Sequence, residues 1–422
     1  MIGQLNNLYD HHCEDCGRLL VQDLGDNDDD WDNIYEEIAA QLLSDKGIKV
    51  NADLHLQTAG KLISAINSGL GEPDSEGKKR LAEKLKQNIY AFSAAKSFTQ
   101  MQYYRDAMIG EDGTILSKGS FIKKIADTGE IFNKRFLEAE YENAHYSAIM
   151  ADKWDRFGEE EYLQYSTVGD GNVRPSHAAL DKYTAPKSDS FWKNNYPPNG
   201  WGCRCTVVPG KETHRNTITP KEAGAQLKEE NRNTPFYNNV GASKVIFRDN
   251  HPYFINANGE EKNLSWEQYG LPDLDKIRTN ELPEYQPKTK EEYLEWWRKQ
   301  PKIKGDDIIV NDVLSNKIIL SSGEGKGGKE SDFFKHHVLK KENDNRHEYA
   351  TETIDILKNP DEVWYNPKDK NTKVYLRYYE QGTMKVVVNE NNIAETMFLI
   401  EHGDKSEANK IGLARKGILL HK

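Results

Sequence analysis

The residues best equipped for chemistry stand in the stretch PPNGWGCRC, residues 197–205, where Cys203 and Cys205 are one residue apart. A disulfide between them would be strained, because a CxC spacing cannot relax to ordinary disulfide geometry. From a turn or strand, both thiolates can instead reach one ion. Zinc takes four ligands at about 2.0–2.3 Å, and His177 is the natural third. Asp170, an oxygen donor shortly before it, is a candidate fourth. Cys13 and Cys16 form a separate CxxC with His11 and His12 beside it. That pair either completes a four-cysteine site with Cys203 and Cys205 or forms its own. The plain alternative is a set of reduced, unligated thiols and a hydrogen-bonded structural histidine. The four cysteines are too few for a disulfide scaffold, and clustered cysteines in a reducing compartment more often bind metal.

These residues fall in a region, about 165–209, where glycine, proline and tryptophan replace helical periodicity. So many turn formers leave a loop-rich module with a thin core, and such modules need a staple. Ahead of it, to about residue 155, the chain reads as helical. Ile34, Ile38, Leu42 and Leu43 recur at helical spacing, and a second helix is expected across KRLAEKLKQNIYAFSAAKSFTQMQYYRDAMI. The clearest is IFNKRFLEAEYENAHYSAIMADKW, with Leu137, Tyr141, Ala144, Ala148 and Ala151 on one stripe. An ordinary core-facing stripe is the favoured reading over a dedicated partner surface. Beyond the module, KEAGAQLKEEN predicts a helix and NHPYFINANGEEKNLSWEQYGLPDLDK an extended connector. GKGGKES lacks the spacing and preceding strand of a phosphate-binding loop. RHEYATETIDILKNP predicts a helix ended by Asn359-Pro360, followed by strands in DEVWYN, KVYLRYYEQGTMKVVVNE and IAETMFLI.

At 422 residues the chain exceeds one hydrophobic core. The expected class is α+β and multidomain: a helical region at 1–155, the metal-stapled module at 156–255, a connector at 256–289, and a small α+β domain with an antiparallel sheet at 290–422. A net charge of −11 argues against nucleic-acid binding over the whole surface, while leaving room for a local basic site. No apolar run approaches the roughly 20 residues that span a bilayer, so no membrane segment is expected. The start MIGQLNNLYDHHCEDCG has neither the basic opening nor the apolar core of a secretory signal, which predicts synthesis in a bacterial cytoplasm.

The run DGNVRPSHAALD (170–181), then Phe191-Trp192 and PPNGWGCRCTVVP, resembles the head-morphogenesis proteins of the phage Mu F type. The resemblance covers about residues 90–210. Its signature positions here are Asp170, Arg174, His177, Trp192, Pro198, Asn199, Gly200, Trp201, Cys203, Arg204 and Cys205; Lys182 replaces a glycine often found after HAAL-[DH]. It implies a minor capsid protein, associated with portal and major capsid proteins and located in the virion at the head interior or portal vertex. A metal would then serve structure, through binding coupled to folding. A catalytic zinc would need an open position and a nearby base, and no convincing base is seen.

The order of helix, Asn-Pro, DEVW and antiparallel strands after about residue 290 resembles phage-borne domains of the barnase/EndoU/colicin/RelE nuclease type. The pattern is carried by ILKNPDEVW, VYLRYY, KVVVNE, a strand ending near Thr396, and ARKGILL. It implies a toxin or effector joined to a head protein. Metal-free RNA cleavage needs a base for the 2′-hydroxyl, an acid for the leaving oxygen, and cations around the phosphate. His336, His337 and His347 suit the proton transfers. Lys341, Arg346, Arg377 and Lys416 are candidate phosphate contacts. Strand alternation puts Tyr375, Arg377 and Tyr379 on one face, expected to be exposed, opposite a buried face of Val374, Leu376 and Tyr378. The catalytic candidates are therefore His337, His347, Arg377, Tyr379 and Thr396, with RNA as partner. Two other functions compete: a toxin whose N-terminal part is only a carrier for a metal-independent ribonuclease, and a zinc hydrolase in the central module.

Overall fold

The computed structural model of the chain describes residues 2–9, 28–44, 47–159, 161–278, 280–283, 287–301, 307–322, 338–339 and 346–422. Two compact units emerge: Met1–Asp45 with Asp53–Gly259, and Lys46–Ala52 with Glu260–Lys422. The fold is α+β, helical toward the N-terminus and sheet-rich toward the C-terminus.

The first unit is built on helices α1 (Ile2–Tyr9), α2 (Asp28–Leu43), α3 (Ala52–Leu70), α4 (Glu76–Ala107), α5 (Lys118–Gly129) and α6 (Phe136–Arg156). Ser75 caps α4 by accepting from the Lys78 amide, satisfying a donor the helix leaves open. Midway along α4 the polar face disappears, and every residue from Phe92 through Met101 is buried. A helix buried all round, polar residues included, sits at the centre of its unit. Lys96 belongs to this run, and its amine donates to Glu140 of α6 at 2.6 Å and to the Phe132 carbonyl at 2.7 Å. The Tyr9 hydroxyl donates to the other oxygen of Glu140 at 2.6 Å. Burial pushes the carboxyl of Glu140 up and the amine of Lys96 down, each opposed by the other's charge.

A π-helical turn, Glu130–Arg135, joins α5 to α6. It swings Asn133 inward, where its side chain accepts from Gln100 at 2.8 Å and donates to Tyr35 at 3.1 Å. The predicted stripe of α6 is buried throughout, from Leu137 to Ala151. Its small residues are used inside the unit: Gly69 of α3 lies against the His145 carbonyl and the Ala148 β-carbon, leaving no room for a side chain. The stripe is thus the ordinary core contact expected of it.

The loop-rich module follows as a three-stranded antiparallel sheet, β1 (Tyr162–Ser166), β2 (Thr184–Pro186) and β3 (Thr206–Pro209), in the order β2-β1-β3. Phe191, Trp192, Tyr196 and Trp201 fill its interior.

The second unit carries a six-stranded antiparallel sheet, ordered β10-β9-β8-β7-β11-β4, and a separate hairpin of β5 (Ile308–Asn311) and β6 (Lys317–Leu320). The sheet strands are β4 (Leu264–Ser265), β7 (Glu362–Asn366), β8 (Thr372–Tyr379), β9 (Gly382–Val388), β10 (Ala394–Glu401) and β11 (Lys416–His421). Gly382 opens β9 at φ 155°, where a β-carbon would collide with the Ile400 carbonyl, a place only glycine fits. Helix α7 (Lys290–Lys299) precedes the hairpin, α8 (Thr353–Lys358) lies between the hairpin and β7, and α9 (Glu407–Ala414) precedes β11.

Two expectations change here. The stretch read as an extended connector holds the helix Pro252–Ala257 and then β4, which pairs with β11 about 150 residues later in the chain. That pairing has no local signature. The sheet also lacks the solvent-facing side expected along VYLRYY: seven of the eight residues of β8 are buried. Tyr375 donates to Asp312 beside the hairpin, and on the opposite pleat Tyr378 lies 5.6 Å from the Arg415 guanidinium. Covered on both sides, the strand partners Lys373 with Asn392, Tyr375 with Asp312 and Arg377 with Asp355.

Candidate metal centre and candidate nucleic-acid face

The centre is assembled by three short pieces of the central module. Pro175 starts a one-turn helix, Pro175–Ala178, that turns His177 inward. Cys203 and Cys205 arrive on the extended lead-in to β3, where alternate residues face the same way. His177 Nδ1 lies 3.7 Å from Cys203 Sγ and 3.5 Å from Cys205 Sγ. One ligand atom from each of the three buried residues falls within 4.8 Å of the others. The Cys203 thiol is pulled well below its ordinary range by the hydrogen bond from Cys205, and further by His177, against the effect of burial. Cys205 is pushed up because it donates that bond and is buried. Tyr165 of β1 faces the two sulfurs, and burial followed by their charge drives its phenol well above the usual value. Its hydroxyl accepts from Asn199 at 3.2 Å.

Two thiols and an imidazole at this spacing form a soft donor set that suits zinc. The described residues supply three of the four donors a tetrahedral ion takes. Asp170, the oxygen donor expected as fourth, is not brought in. The same alternation that turns the cysteines inward turns Arg204 outward, and Arg204 holds exposed Asp170 at 2.8 Å. Cys13 and Cys16 lie outside the described residues, as do His11 and His12.

Other signature residues lock the loop around this centre. Arg174 donates to the Trp201 carbonyl at 2.7 Å and packs on Gly200. Asn199 donates to the Asn195 carbonyl at 3.1 Å, and its own carbonyl accepts from Asn231 at 3.1 Å. Trp201 donates to the Leu8 carbonyl at 2.8 Å and stacks on Tyr9, whose ring stacks in turn on Phe136 of α6. The tryptophan of PPNGWGCRC is therefore the joint between the module and the helices. Tyr165 was missed by the sequence reading; alternation along YLQYS, with Leu163 and Tyr165 inward, was its available signal.

In the second unit the nucleic-acid candidates fall in two groups. Arg377 donates at 2.7 Å to both the Asp355 carboxylate and the Asn359 carbonyl. Its guanidinium lies 6.0 Å from the ring of buried Tyr379. Around them, burial and then the charge of Asp355 raise the carboxyl of Glu352. Burial also raises that of Asp361. The strand register pairs Arg377 with Met384 and Met384 with Leu399, whereas Thr396 pairs with Val387, three positions along and so on the alternate pleat. Thr396 instead accepts from Arg346 at 3.1 Å. Half-buried His347 follows Arg346 in the 3-10 turn Arg346–Glu348. The structure therefore brings Arg377 to Tyr379, and Thr396 to Arg346, as separate sets. His336, His337 and Lys341 lie outside the described residues. Lys385 and Phe398, directly across from each other on β9 and β10, are further residues of this region that the sequence reading did not single out.

Residues 112–208 match the family described as Phage Mu protein F like protein, and residues 297–422 match the family described as phage-Barnase-EndoU-ColicinE5/D-RelE like nuclease2. The chain joins a Mu F-like segment to a phage nuclease-family segment. The chain is 52% identical over 46 residues to the putative capsid assembly protein F of Escherichia phage Mu, 11% of this chain and 10% of that protein. It is 39% identical over 64 residues to the Mu-like prophage FluMu F protein of Haemophilus influenzae, 15% of this chain and 16% of the relative. The matched stretches thus span 10% and 16% of these relatives' own length. No solved structure matches. The Mu F-like segment contains α5, α6, the three-stranded sheet and the His177–Cys203–Cys205 centre. The nuclease-family segment contains the hairpin and every strand of the large sheet except β4. Among the described residues, no helix is long and apolar enough to cross a membrane.

Proposed function

We propose that this chain is a minor head protein of a tailed phage or prophage, associated with portal and major capsid proteins and needed for head morphogenesis. Its C-terminal part is a nuclease-type effector carried into the virion. The observation that carries this reading is the presence of both segments on one chain, the Mu F-like one related to a protein named for capsid assembly. In this reading residues 1–255 form the assembly unit and residues 290–422 the effector, whose sheet takes in β4 from the stretch between them. His177, Cys203 and Cys205 hold a structural zinc that rigidifies a loop-rich surface for its partners, the metal supplying folding energy and no bond-making chemistry. The buried, mutually bonded surroundings of the centre favour this over hydrolysis, which needs an open coordination position and a base. RNA is the effector's target, cleaved without metal.

Deleting the encoding gene from the phage tests the assembly role. Loss of DNA-filled heads, restored by supplying the chain in trans, is the expected result. Full, infectious heads assembled without the chain would overturn it.

A further inference from the structure

The strand chosen from the sequence for phosphate contact is a poor place for a polyanion. Arg377 is already bonded to Asp355, and Glu352 and Asp361 stand close by. Another part of the same sheet has the opposite character. On β10 the ring of Phe398 has the Lys385 amine 5.4 Å and the Arg346 guanidinium 5.8 Å from its centre. Arg346 also donates to the Thr396 hydroxyl at 3.1 Å, which holds the guanidinium over the strand. All four side chains are half-buried, so each still reaches solvent. Burial lowers the pKa of the Lys385 amine, and the charge of Asp369 opposes that shift.

We infer that Arg346, Lys385, Thr396 and Phe398 form a binding site for single-stranded RNA, the two cations and the hydroxyl taking a backbone phosphate and the ring stacking a base. An aromatic face flanked by cations is the arrangement that binds unpaired nucleotides: the charges track the backbone and the ring accepts any base. Partial burial of the cations strengthens their pull on a phosphate relative to fully solvated lysines. His347, next to Arg346, is thereby placed beside the bound backbone. This site rests on the nuclease reading of residues 297–422 and relocates its substrate from the Arg377 strand to the β9–β10 pair.

The test uses the full chain and a fluorescein-labelled single-stranded RNA oligonucleotide, with affinity read by anisotropy across a salt series and cleavage read on gels. Lys385→Gln is expected to weaken binding about tenfold and to lower the salt slope by about one phosphate contact. Phe398→Leu is expected to weaken binding about tenfold with the salt slope unchanged, because stacking releases no counterions. Lys358→Gln, an equal loss of charge at an exposed position of α8, is expected to leave affinity as it is. Circular dichroism of each variant confirms that it is folded. RNA binding with this pattern but no cleavage supports the site and counts against catalysis alone. Cleavage that persists with full affinity in both Lys385→Gln and Phe398→Leu overturns the site and leaves the nuclease reading standing. No RNA binding by the folded wild-type chain overturns the site.

Discussion

The two clusters of polar chemistry are solved in opposite ways. At His177, Cys203 and Cys205, soft donors of a thin module converge on one point. In the sheet of the second unit, the most deeply buried charge, Arg415, is met by its opposite. Arg415 is fully buried and makes a two-pronged bond to Glu362 at 2.6 and 2.9 Å, and Trp364 donates to the same carboxylate. The first arrangement offers its donors to a cation from outside, whereas the second is completed by the chain itself. A motif can announce the first kind, because ligand types and spacing are local. The second kind depends on strands that meet only after folding.

The sharpest way to break this contrast is at the metal centre. On the proposed structural role of the centre, Cys203→Ser should abolish zinc binding and remove folding energy on the order of 10 kcal/mol, so that the central module no longer folds at physiological temperature. Elemental analysis and thermal unfolding of the purified chain measure both; a variant that keeps its fold without metal would place this centre among the self-sufficient clusters.

The self-satisfied clusters should respond to loss of one partner, by less. Arg415→Met leaves Glu362 buried and uncompensated, and Lys96→Met does the same to Glu140 in the first unit. Each is expected to cost about 3–5 kcal/mol, confined to its own unit in hydrogen exchange and urea unfolding. The close approach of α3 to α6 predicts a smaller loss. Gly69→Val must displace the His145 carbonyl, for a cost of about 1–3 kcal/mol by chemical denaturation.

Acid should separate the units most gently. Burial, followed by the Lys96 charge, holds His251 well below the usual histidine value, so it folds neutral. A depressed folded value means that its contribution is present above about pH 6.5 and is lost as pH falls toward the folded value, by about 1.4 kcal/mol per pH unit at most. Glu352 and Asp361 have raised folded values, and their contribution runs the other way: present below the ordinary carboxylate range and lost as pH rises through the folded values. Hydrogen exchange between pH 7 and 5.5 should therefore show the first unit loosening before the second, and His251→Asn should flatten the trend in the first.

How much of this was legible follows the same division. His177, Cys203 and Cys205 could be named from type and spacing, and α4 and α6 from their period. Lys96 could not: it reads as a solvated helix residue, and the polar residues around it in AFSAAKSFTQM give no sign of burial on every side. Alternation along VYLRYY gave the correct strand and the correct pleat, yet could not say that both pleats are covered, since the covering groups, Asp312 and Arg415, lie 63 and 37 residues from the strand residues they meet. Trp201 was visible as a signature residue, but its role as a joint required knowing where Tyr9 and Phe136 come to rest.

The division of labour itself, a head protein carrying an effector, is tested most directly by quantitative mass spectrometry of purified phage heads. The expected result is the full chain, with peptides from both the Mu F-like and the nuclease-family segments, at a few copies per head and in fixed ratio to the portal protein. Heads that contain no trace of it, or only peptides from one segment, would contradict that claim.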